Sequence, residues 1–362
     1  MASILPPNRD SVEASLNLLP GECSDTKSDT VATFPSSQPS QSEDWRLGLQ
    51  IAIRSSRKLC EFVGVDPQHA CPSAESDFPV MVTREYASRI EKGNSLDPLL
   101  RQVLAAPGEL NQEGLTDPVG ELDSIRHKGL LQKYEHRVLL IVSGACAIHC
   151  RYCFRRSFPY SDTARGLAEW SEWIDWIKDD SSIHEVILSG GDPLSVADSR
   201  LDWLLQELDT IPHLRRIRFH TRLPVVLPSR ITEALCSSLN QLSKALFIVL
   251  HTNHANEIDA AVSGAIRKLR SSGATLMNQA VLLRGVNDDF ESLYNLCAEL
   301  VDQNVLPYYL HQLDPVQGGL HFQVSDQRAF ELIELLRTKL PGYAVPKLVR
   351  EEPDHPSKTA LM

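Results

Sequence analysis

The sequence predicts an α/β fold, in which six strands and six helices alternate as a partial TIM-like (βα)6 barrel behind an N-terminal helical segment. Short apolar runs are separated by stretches that are apolar on one face at helical spacing, and turn-forming residues lie between them. The length of 362 residues is a further argument, because an α/β barrel of ~200–250 residues leaves room for an appendage.

The chain divides into four regions. Residues 1–44 are rich in serine and proline and contain a single aromatic residue, Phe34, so we expect a disordered leader. Residues 45–130 carry short amphipathic patterns broken by proline and glycine, which predict a helical segment. Residues 131–340 form the predicted barrel core, and residues 341–362 form a C-terminal segment.

The barrel core is predicted from its alternating patterns. Strands are expected at Val138–Val142, Glu185–Ser189, Arg216–His220, Ala245–His251, Ala274–Leu283 and Val305–His311. Helices are expected at Leu167–Lys178, Ser199–Thr210, Ser229–Leu239, Glu257–Ser271, Asp289–Val301 and Ser325–Thr338. Strands and helices that alternate in this way form parallel sheets with right-handed crossovers.

Composition and charge exclude several classes of function. The net charge of −11 argues against nucleic acid as a direct partner. No apolar run reaches the ~18 residues that a membrane span needs. The eight cysteines do not resemble a secreted disulfide framework and the sequence opens without a secretory leader, so a reducing cytoplasm is the expected compartment.

Three cysteines, Cys146, Cys150 and Cys153, follow the first predicted strand. Their spacing offers no fourth ligand nearby for a closed zinc site, whereas a four-iron cluster can keep one iron open for chemistry. A zinc site completed by a distant ligand and an ordinary set of reduced thiols are the alternatives. The pattern favours an iron–sulfur cluster.

Glycine and polar residues occupy the ends of other predicted strands, and parallel barrels carry their active sites at the carboxyl ends of the strands. These residues are Gly190, Gly191 and Asp192 after the second strand, His251 ending the fourth, Gln279 in the fifth and Asp314 after the sixth. Glycines allow close approach of a ligand to the backbone, and a carboxylate suits an amino or hydroxyl group. A tight turn is the alternative interpretation of the glycine pair.

Several longer motifs lie between about residues 130 and 350. They are Tyr134-Glu-His-Arg137, the cysteine loop with Phe154-Arg155-Arg156, Leu188-Ser-Gly-Gly-Asp-Pro-Leu, His251-Thr-Asn-His-Ala-Asn-Glu, Asn278-Gln-Ala-Val-Leu-Leu-Arg-Gly-Val-Asn-Asp288 and Tyr308-Tyr-Leu-His-Gln-Leu-Asp314. Together they resemble the lysine 2,3-aminomutase family of radical S-adenosylmethionine enzymes. The resemblance implies an isomerase with a [4Fe–4S] cluster on the three cysteines, S-adenosylmethionine and pyridoxal 5'-phosphate.

The resemblance also implies individual roles. The residues that would contact S-adenosylmethionine are Gly190, Gly191, Asp192, His251 and Gln279. Lys347 would form the Schiff base with pyridoxal phosphate. Lys133 and Arg137 are candidates for binding its phosphate, with a helix N-terminus as the alternative. Arg155 would hold the carboxylate of free L-lysine as a fork, although a solvated basic pair is the alternative, and Asp314 would contact the distal ammonium.

Two departures from the lysine-degrading members narrow the prediction. Leu340 stands where those members have an aspartate that helps to hold the substrate ammonium, and Asp289 replaces a cysteine of their structural zinc site. The ending Pro356-Ser-Lys-Thr359 and these departures resemble the shorter members that make (R)-β-lysine for translation elongation factor P. This resemblance implies an external electron donor and a functional link to a lysyl-tRNA-synthetase-like ligase, with the oligomeric state left open.

Two alternatives to this prediction remain. One is a catabolic aminomutase for lysine or another amino acid. The other is a catalytically silent iron–sulfur scaffold.

Overall fold

The computed structural model describes residues 45–164 and 166–361, and the leader predicted at residues 1–44 lies outside them. The described residues include a sheet of ten strands in which spatial order follows sequence order. The strands are β1 (Ile125–His127), β2 (Leu130–Leu131), β3 (Arg137–Ser143), β4 (Glu185–Gly190), β5 (Arg216–Thr221), β6 (Ala245–His251), β7 (Thr275–Val281), β8 (Leu306–His311), β9 (Lys347–Arg350) and β10 (Thr359–Ala360). Strands β3 to β9 are parallel, and antiparallel strands extend both ends of the sheet.

Helices connect the parallel strands. The helices of the barrel are α6 (Leu167–Asp179), α7 (Asp198–Asp209), α8 (Leu223–Val226), α9 (Glu233–Asn240), α10 (Ala260–Ser271), α11 (Phe290–Asp302) and α12 (Asp326–Lys339). All six predicted strands are present as β3 to β8, and each is followed by at least one helix. The predicted partial (βα)6 barrel is therefore confirmed.

Polar side chains begin the later helices of the barrel. The N-cap residues of α9 to α12 are Thr232, Asp259, Asp289 and Ser325, and each accepts a hydrogen bond from a backbone N–H of the first turn. These bonds satisfy donors that have no partner within the helix. Asp289 is therefore the N-cap of α11.

Four strands were not predicted from the sequence. β1 and β2 form an antiparallel pair before β3, so the sheet begins before residue 131. β9 adds a seventh parallel strand beside β8, and its first residue is Lys347. β10 pairs with β9 in the antiparallel sense. Each of these strands has two to four residues, which is too short to show an alternating pattern.

The two faces of the parallel sheet differ in polarity. The face toward the helices is aliphatic, and Leu140, Ile217 and Leu250 on it are fully buried. Along β5 the burial alternates, so Arg218 and His220 belong to the opposite face. The main core therefore lies between the sheet and the helices, and the inner face of β5 carries charged and polar groups.

The segment before the barrel consists of short helices. They are α1 (Trp45–Gln50), α2 (Ser56–Val63), α3 (Pro72–Asp77), α4 (Arg84–Ala87) and α5 (Pro98–Arg101). Leu59, Leu99 and Leu100 in them are fully buried in the main core. Across the described ranges, no helix has the length and apolar character that a membrane crossing requires.

Candidate active site

The loop after β3 carries the three cysteines and rests on the N-terminal segment. Arg151 donates from Nε and Nη2 to the two carboxylate oxygens of Glu109, at 2.9 and 2.5 Å, and both side chains are buried. The backbone N–H of Arg151 donates to the Gln102 carbonyl at 2.9 Å. A bidentate ion pair of this kind fixes both position and orientation, so the helical segment holds the cysteine loop in place.

The three thiols are free, and all three cysteines are half-buried. Burial raises the pKa of Cys146 well above the usual thiol value, and burial together with Cys150 raises that of Cys153 to about 12. The Arg222 Nη1 donates to the Cys150 sulfur at 2.7 Å. Cys146 and Cys153 therefore favour the protonated form until a metal supplies positive charge.

In residues 45–164 and 166–361, no three His, Cys, Asp or Glu side chains gather around one point as the ligands of a single metal ion do. An iron–sulfur cluster spreads its thiolate ligands around a larger body. The loop carries three thiols, and the Arg222 guanidinium donates to the sulfur of one of them. The positive charges of Arg155 and Arg156 act on Cys153. These features fit a [4Fe–4S] cluster bound by three cysteines.

The glycine pair after β4 lies against the cysteine loop. Gly190 has φ +126°, and a Cβ there would lie 2.2 Å from the Ser143 carbonyl oxygen. A Cβ on Gly191 would lie 2.5 Å from the Ala145 carbonyl oxygen and 2.9 Å from the Cys146 sulfur. Neither position accepts a side chain, so the pair allows the backbone to approach the place where the cluster and S-adenosylmethionine would meet.

The Asp192 carboxylate accepts hydrogen bonds from other groups of the same chain. Its carboxylate accepts hydrogen bonds from the Thr221 hydroxyl at 2.7 Å and from the backbone N–H groups of Leu194, Arg222 and Leu223 at 2.7 to 3.0 Å. Burial raises its pKa to about 6. These contacts fix the turn after β4 to the end of β5, a structural role that the sequence did not indicate. Direct contact with S-adenosylmethionine stays a prediction.

His251 and Gln279 lie side by side at the carboxyl ends of β6 and β7. The Gln279 Nε2 and the His251 Nε2 are 2.9 Å apart. Burial, followed by the charges of Arg222 and Arg155, lowers the pKa of His251 to about 3, so its ring is neutral. The structure thus brings together two residues that were predicted to bind S-adenosylmethionine.

The Arg155 side chain is buried, and its guanidinium forms a two-pronged ion pair with the Glu121 carboxylate. The Nε and Nη2 atoms donate to the Glu121 carboxylate at 2.6 and 2.5 Å. The Nη1 donates to the Ser189 hydroxyl at 2.9 Å and to the Gly190 carbonyl at 3.1 Å. A guanidinium has five N–H groups, so at most one is left for a substrate carboxylate. The alternative interpretation, that Arg155 and Arg156 are a solvated basic pair, is wrong. The Glu121 carboxylate occupies the pair of Arg155 nitrogens that was expected to hold the substrate carboxylate.

Lys347 begins β9 and pairs in register with Tyr309 of β8. Its side chain is exposed, and its amine makes no hydrogen bond or ion pair with the described part of the chain. Arg137 at the start of β3 has a buried Nε without a partner and lies over the Tyr134 ring. An amine can bind the aldehyde of pyridoxal phosphate and a buried cation can pair with its phosphate, so these two roles stay predictions. Lys133, in contrast, is already paired with Glu351 at 2.7 Å.

Asp314 follows β8 and lies near several charges. Burial raises its pKa to about 7, with Lys358 opposing this shift and Glu351 and Glu121 adding to it. Its Oδ1 atom is buried and has no partner among the described residues. The sequence therefore identified an acid that is short of a cationic partner.

Four residues that contact the predicted site residues or one another were missed from the sequence. They are Glu121, Arg222, Glu351 and Lys358. Each acts through a partner on a distant part of the chain, so no local motif marks it. Glu351 lies four residues after Lys347, and Lys358 belongs to the Pro-Ser-Lys-Thr ending. These positions are the sequence features that could have pointed to the two residues.

Comparison with known proteins indicates the family to which this chain belongs. A model of the Radical SAM superfamily matches residues 140–297, which include the cysteine loop and the glycine pair. The L-lysine 2,3-aminomutase of Escherichia coli (strain K12) is 45% identical over 324 residues, covering 88% of this chain and 94% of its own length. That of Haemophilus influenzae is 42% identical, covering 88% and 96%, and that of Clostridium subterminale is 34% identical, covering 88% and 78%.

The parallel barrel, the three-cysteine loop and these identities over most of each chain agree with one another. The chain therefore belongs to the lysine 2,3-aminomutase family of radical S-adenosylmethionine isomerases, which use a [4Fe–4S] cluster and S-adenosylmethionine.

Proposed function

We propose that this protein uses pyridoxal phosphate to convert free L-α-lysine to (R)-β-lysine, and that the product modifies elongation factor P. The observation that carries the choice of substrate is the buried Asp314 carboxyl, whose Oδ1 has no partner within the described ranges. A buried acid without a partner is costly, and a substrate ammonium would satisfy it. Glutamate would bring a second carboxylate to this position and would be repelled.

The proposed chemistry divides between cofactors and protein. When bound, the cluster with S-adenosylmethionine supplies a radical that removes hydrogen, and pyridoxal phosphate carries the amino group that moves from C2 to C3. Lys347 would anchor pyridoxal phosphate through its free amine. The neutral His251 would approach the sulfonium of S-adenosylmethionine without charge repulsion. Asp314 would hold the distal ammonium of lysine, and Arg155 would reach the carboxylate only through the one N–H that its own protein partners leave.

Product analysis tests the reaction. The anaerobically reconstituted protein is incubated with lysine, S-adenosylmethionine and a reductant, and β-lysine is measured by chromatography. We expect β-lysine from the natural chain and from the Cys236→Ala control, whose thiol lies on α9, and none from Cys150→Ala. Turnover of glutamate in place of lysine, or β-lysine formation by Cys150→Ala, would contradict the proposal.

Absorbance tests the pyridoxal phosphate site. Lys347→Ala should lose the visible band of bound pyridoxal phosphate, because no other amine is proposed to hold it. Lys339→Ala, at the exposed end of α12, is the matched control and should keep the band. Retention of the band in Lys347→Ala would refute the assignment of Lys347.

The link to elongation factor P rests on the resemblance of the C-terminal sequence to the shorter family members. It would place the protein in a reducing cytoplasm, with an external electron donor and a lysyl-tRNA-synthetase-like ligase acting after it. The free thiols of all cysteines in the described part of the chain suit that compartment. Mass spectrometry of elongation factor P from cells that lack this protein should show loss of the β-lysyl group. An unchanged mass would favour a catabolic role.

A further inference from the structure

A buried guanidinium touches the cysteine loop. Arg222 stands between β5 and α8, and its backbone N–H donates to the Asp192 carboxylate at 2.7 Å. Its side chain is buried, and its Nη1 donates to the Cys150 sulfur at 2.7 Å. An arginine keeps its positive charge inside proteins. A full positive charge is therefore in direct contact with one of the three thiols that would bind the cluster.

Side chains from three other parts of the chain hold this guanidinium in place. Its Nη1 also donates to the Tyr152 hydroxyl, and its Nη2 donates to Gln102 Oε1 at 2.8 Å and to Glu257 Oε2 at 3.0 Å. The Asn253 Nδ2 donates to the same Gln102 oxygen at 3.0 Å and to the Tyr152 hydroxyl at 2.6 Å. Each Nη atom thus has two acceptors, so rotation away from the thiol would break several hydrogen bonds.

Glu257 is the counter-charge of the guanidinium and is fully buried. Its Oε1 accepts from the backbone N–H groups of Asn253 and His254 and from Gln102 Nε2, at 3.0 to 3.2 Å. The motif that begins at His251 therefore ends in the acid that pairs with this guanidinium. The thiol and the carboxylate contact different nitrogens of one buried group, where salt screens charges little.

Reduction by one electron from the external donor adds negative charge to a cluster and to its sulfur ligands. A positive charge on a ligand sulfur favours the reduced state, and hydrogen bonds to the sulfurs are among the factors that set the potential. We propose that Arg222 is a positioning residue that acts through the Cys150 sulfur to raise the reduction potential of the cluster, and that Glu257 limits this rise. The inference takes the cluster as given and does not depend on which amino acid is the substrate.

Midpoint potentials test the effect of charge. The anaerobically reconstituted enzyme is titrated with dithionite in the presence of redox mediators, and electron paramagnetic resonance measures the reduced cluster. Arg222→Met should accept the electron roughly tenfold less readily, which is a shift of about 59 mV to lower potential. Glu257→Gln should shift the potential upward, because the guanidinium loses its counter-charge. A loss of packing would not produce shifts of opposite sign.

Two further variants keep the test open where a single substitution prevents folding. Arg222→Met combined with Glu257→Gln leaves no unpaired charge in the interior. Its potential should lie between that of the natural chain and that of Arg222→Met, because the charge nearer the sulfur is lost together with its more distant partner. Arg222→Lys keeps the positive charge and should restore most of the natural potential.

Arg230→Met is the matched control. Arg230 is also a buried arginine, but it donates to the Leu194 carbonyl at 2.6 Å and pairs with Asp198 at 2.6 Å. Its substitution should change the electron affinity of the cluster by less than about threefold. An unchanged or higher potential in Arg222→Met, or shifts of the same sign in Arg222→Met and Glu257→Gln, would overturn the inference. Absence of β-lysine from the natural enzyme rejects the proposed function separately, so the two failures are distinguishable.

Discussion

The charge of Asp314 depends on its surroundings more than on its chemical type. Burial, with the carboxylates Glu351 and Glu121 adding to it, gives this acid a pKa of about 7. At neutral pH a fraction of the molecules therefore carries a proton on Asp314. Only the ionised form can pair with an ammonium, so substrate binding should be linked to pH.

Lysine affinity should fall as the pH is lowered from 8 to 6. Below pH 7 the Asp314 carboxyl must lose a proton on binding, which costs about tenfold in affinity per pH unit. Calorimetric titrations across this range measure the effect, with norleucine as the ligand control. Asp314→Asn should bind lysine weakly and with a flat pH profile. A natural enzyme with a flat profile would contradict the assignment.

Arg155 and Glu121 show why the site could be predicted only in part. The cysteines, the glycine pair and Lys347 stand in local motifs, and the sequence identified them. Glu121 lies 34 residues before Arg155 on a different part of the chain, and no local pattern couples the two. The sequence therefore could not show that the Arg155 guanidinium is paired with Glu121 in the folded chain.

Glu121→Gln should destabilise the protein by about 3 kcal/mol, because it leaves the buried Arg155 guanidinium without its counter-charge. The free energy of unfolding in urea measures this loss. Asp123→Asn, two residues further along and exposed, is the control and should change stability by less than about 0.5 kcal/mol. Equal stability of the two variants would show that the ion pair is not needed.

At the scale of elements, the ends of β3 and β4 meet around the glycine pair. The Gly191 backbone N–H donates to the Ser143 carbonyl at 2.7 Å, and the Asp192 N–H donates to the Ala145 carbonyl at 2.9 Å. The sequence predicted both strands and their carboxyl-end loops. It did not show how closely the loops approach, because that distance depends on the register between β3 and β4.

Gly191→Ala should impair cluster binding. The new Cβ would lie 2.5 Å from the Ala145 carbonyl oxygen and 2.9 Å from the Cys146 sulfur, so the loop must shift. We expect at least a roughly tenfold loss of iron retained after anaerobic reconstitution, since a displaced ligand weakens a metal site about as much as a lost outer contact. Gly264→Ala in α10, where only the Arg267 side chain is near at 3.8 Å, should keep its iron. Full iron content in Gly191→Ala would contradict the close approach.

For the whole molecule, the C-terminal segment is part of the sheet. Leu348 and Val349 of β9 are buried, and β9 covers the edge of β8. The sequence assigned this segment only the role of carrying Lys347. Its four-residue strand has charged residues at both ends, and such a pattern is too short to identify a strand.

A chain that ends at Pro346 should be less stable by roughly 3–6 kcal/mol, because it loses the buried Leu348 and Val349 side chains. It should also aggregate through the uncovered edge of β8. Thermal unfolding and light scattering measure these effects. A chain that ends at Pro356 keeps β9 and loses β10. It should stay monodisperse under conditions in which the shorter chain aggregates. Equal melting temperatures for the shorter and the natural chain would contradict this role of β9.

The agreement between strand order in the sheet and strand order in the chain bears on how the enzyme matures. Each strand pairs with the strands just before and after it in the sequence, so no pairing within the sheet waits for a distant segment. The helical segment, β3 and β4 supply the support, the thiols and the glycine pair before β9 supplies Lys347. A folding chain would thus complete its three-cysteine loop first, and β9 with Lys347 would form last.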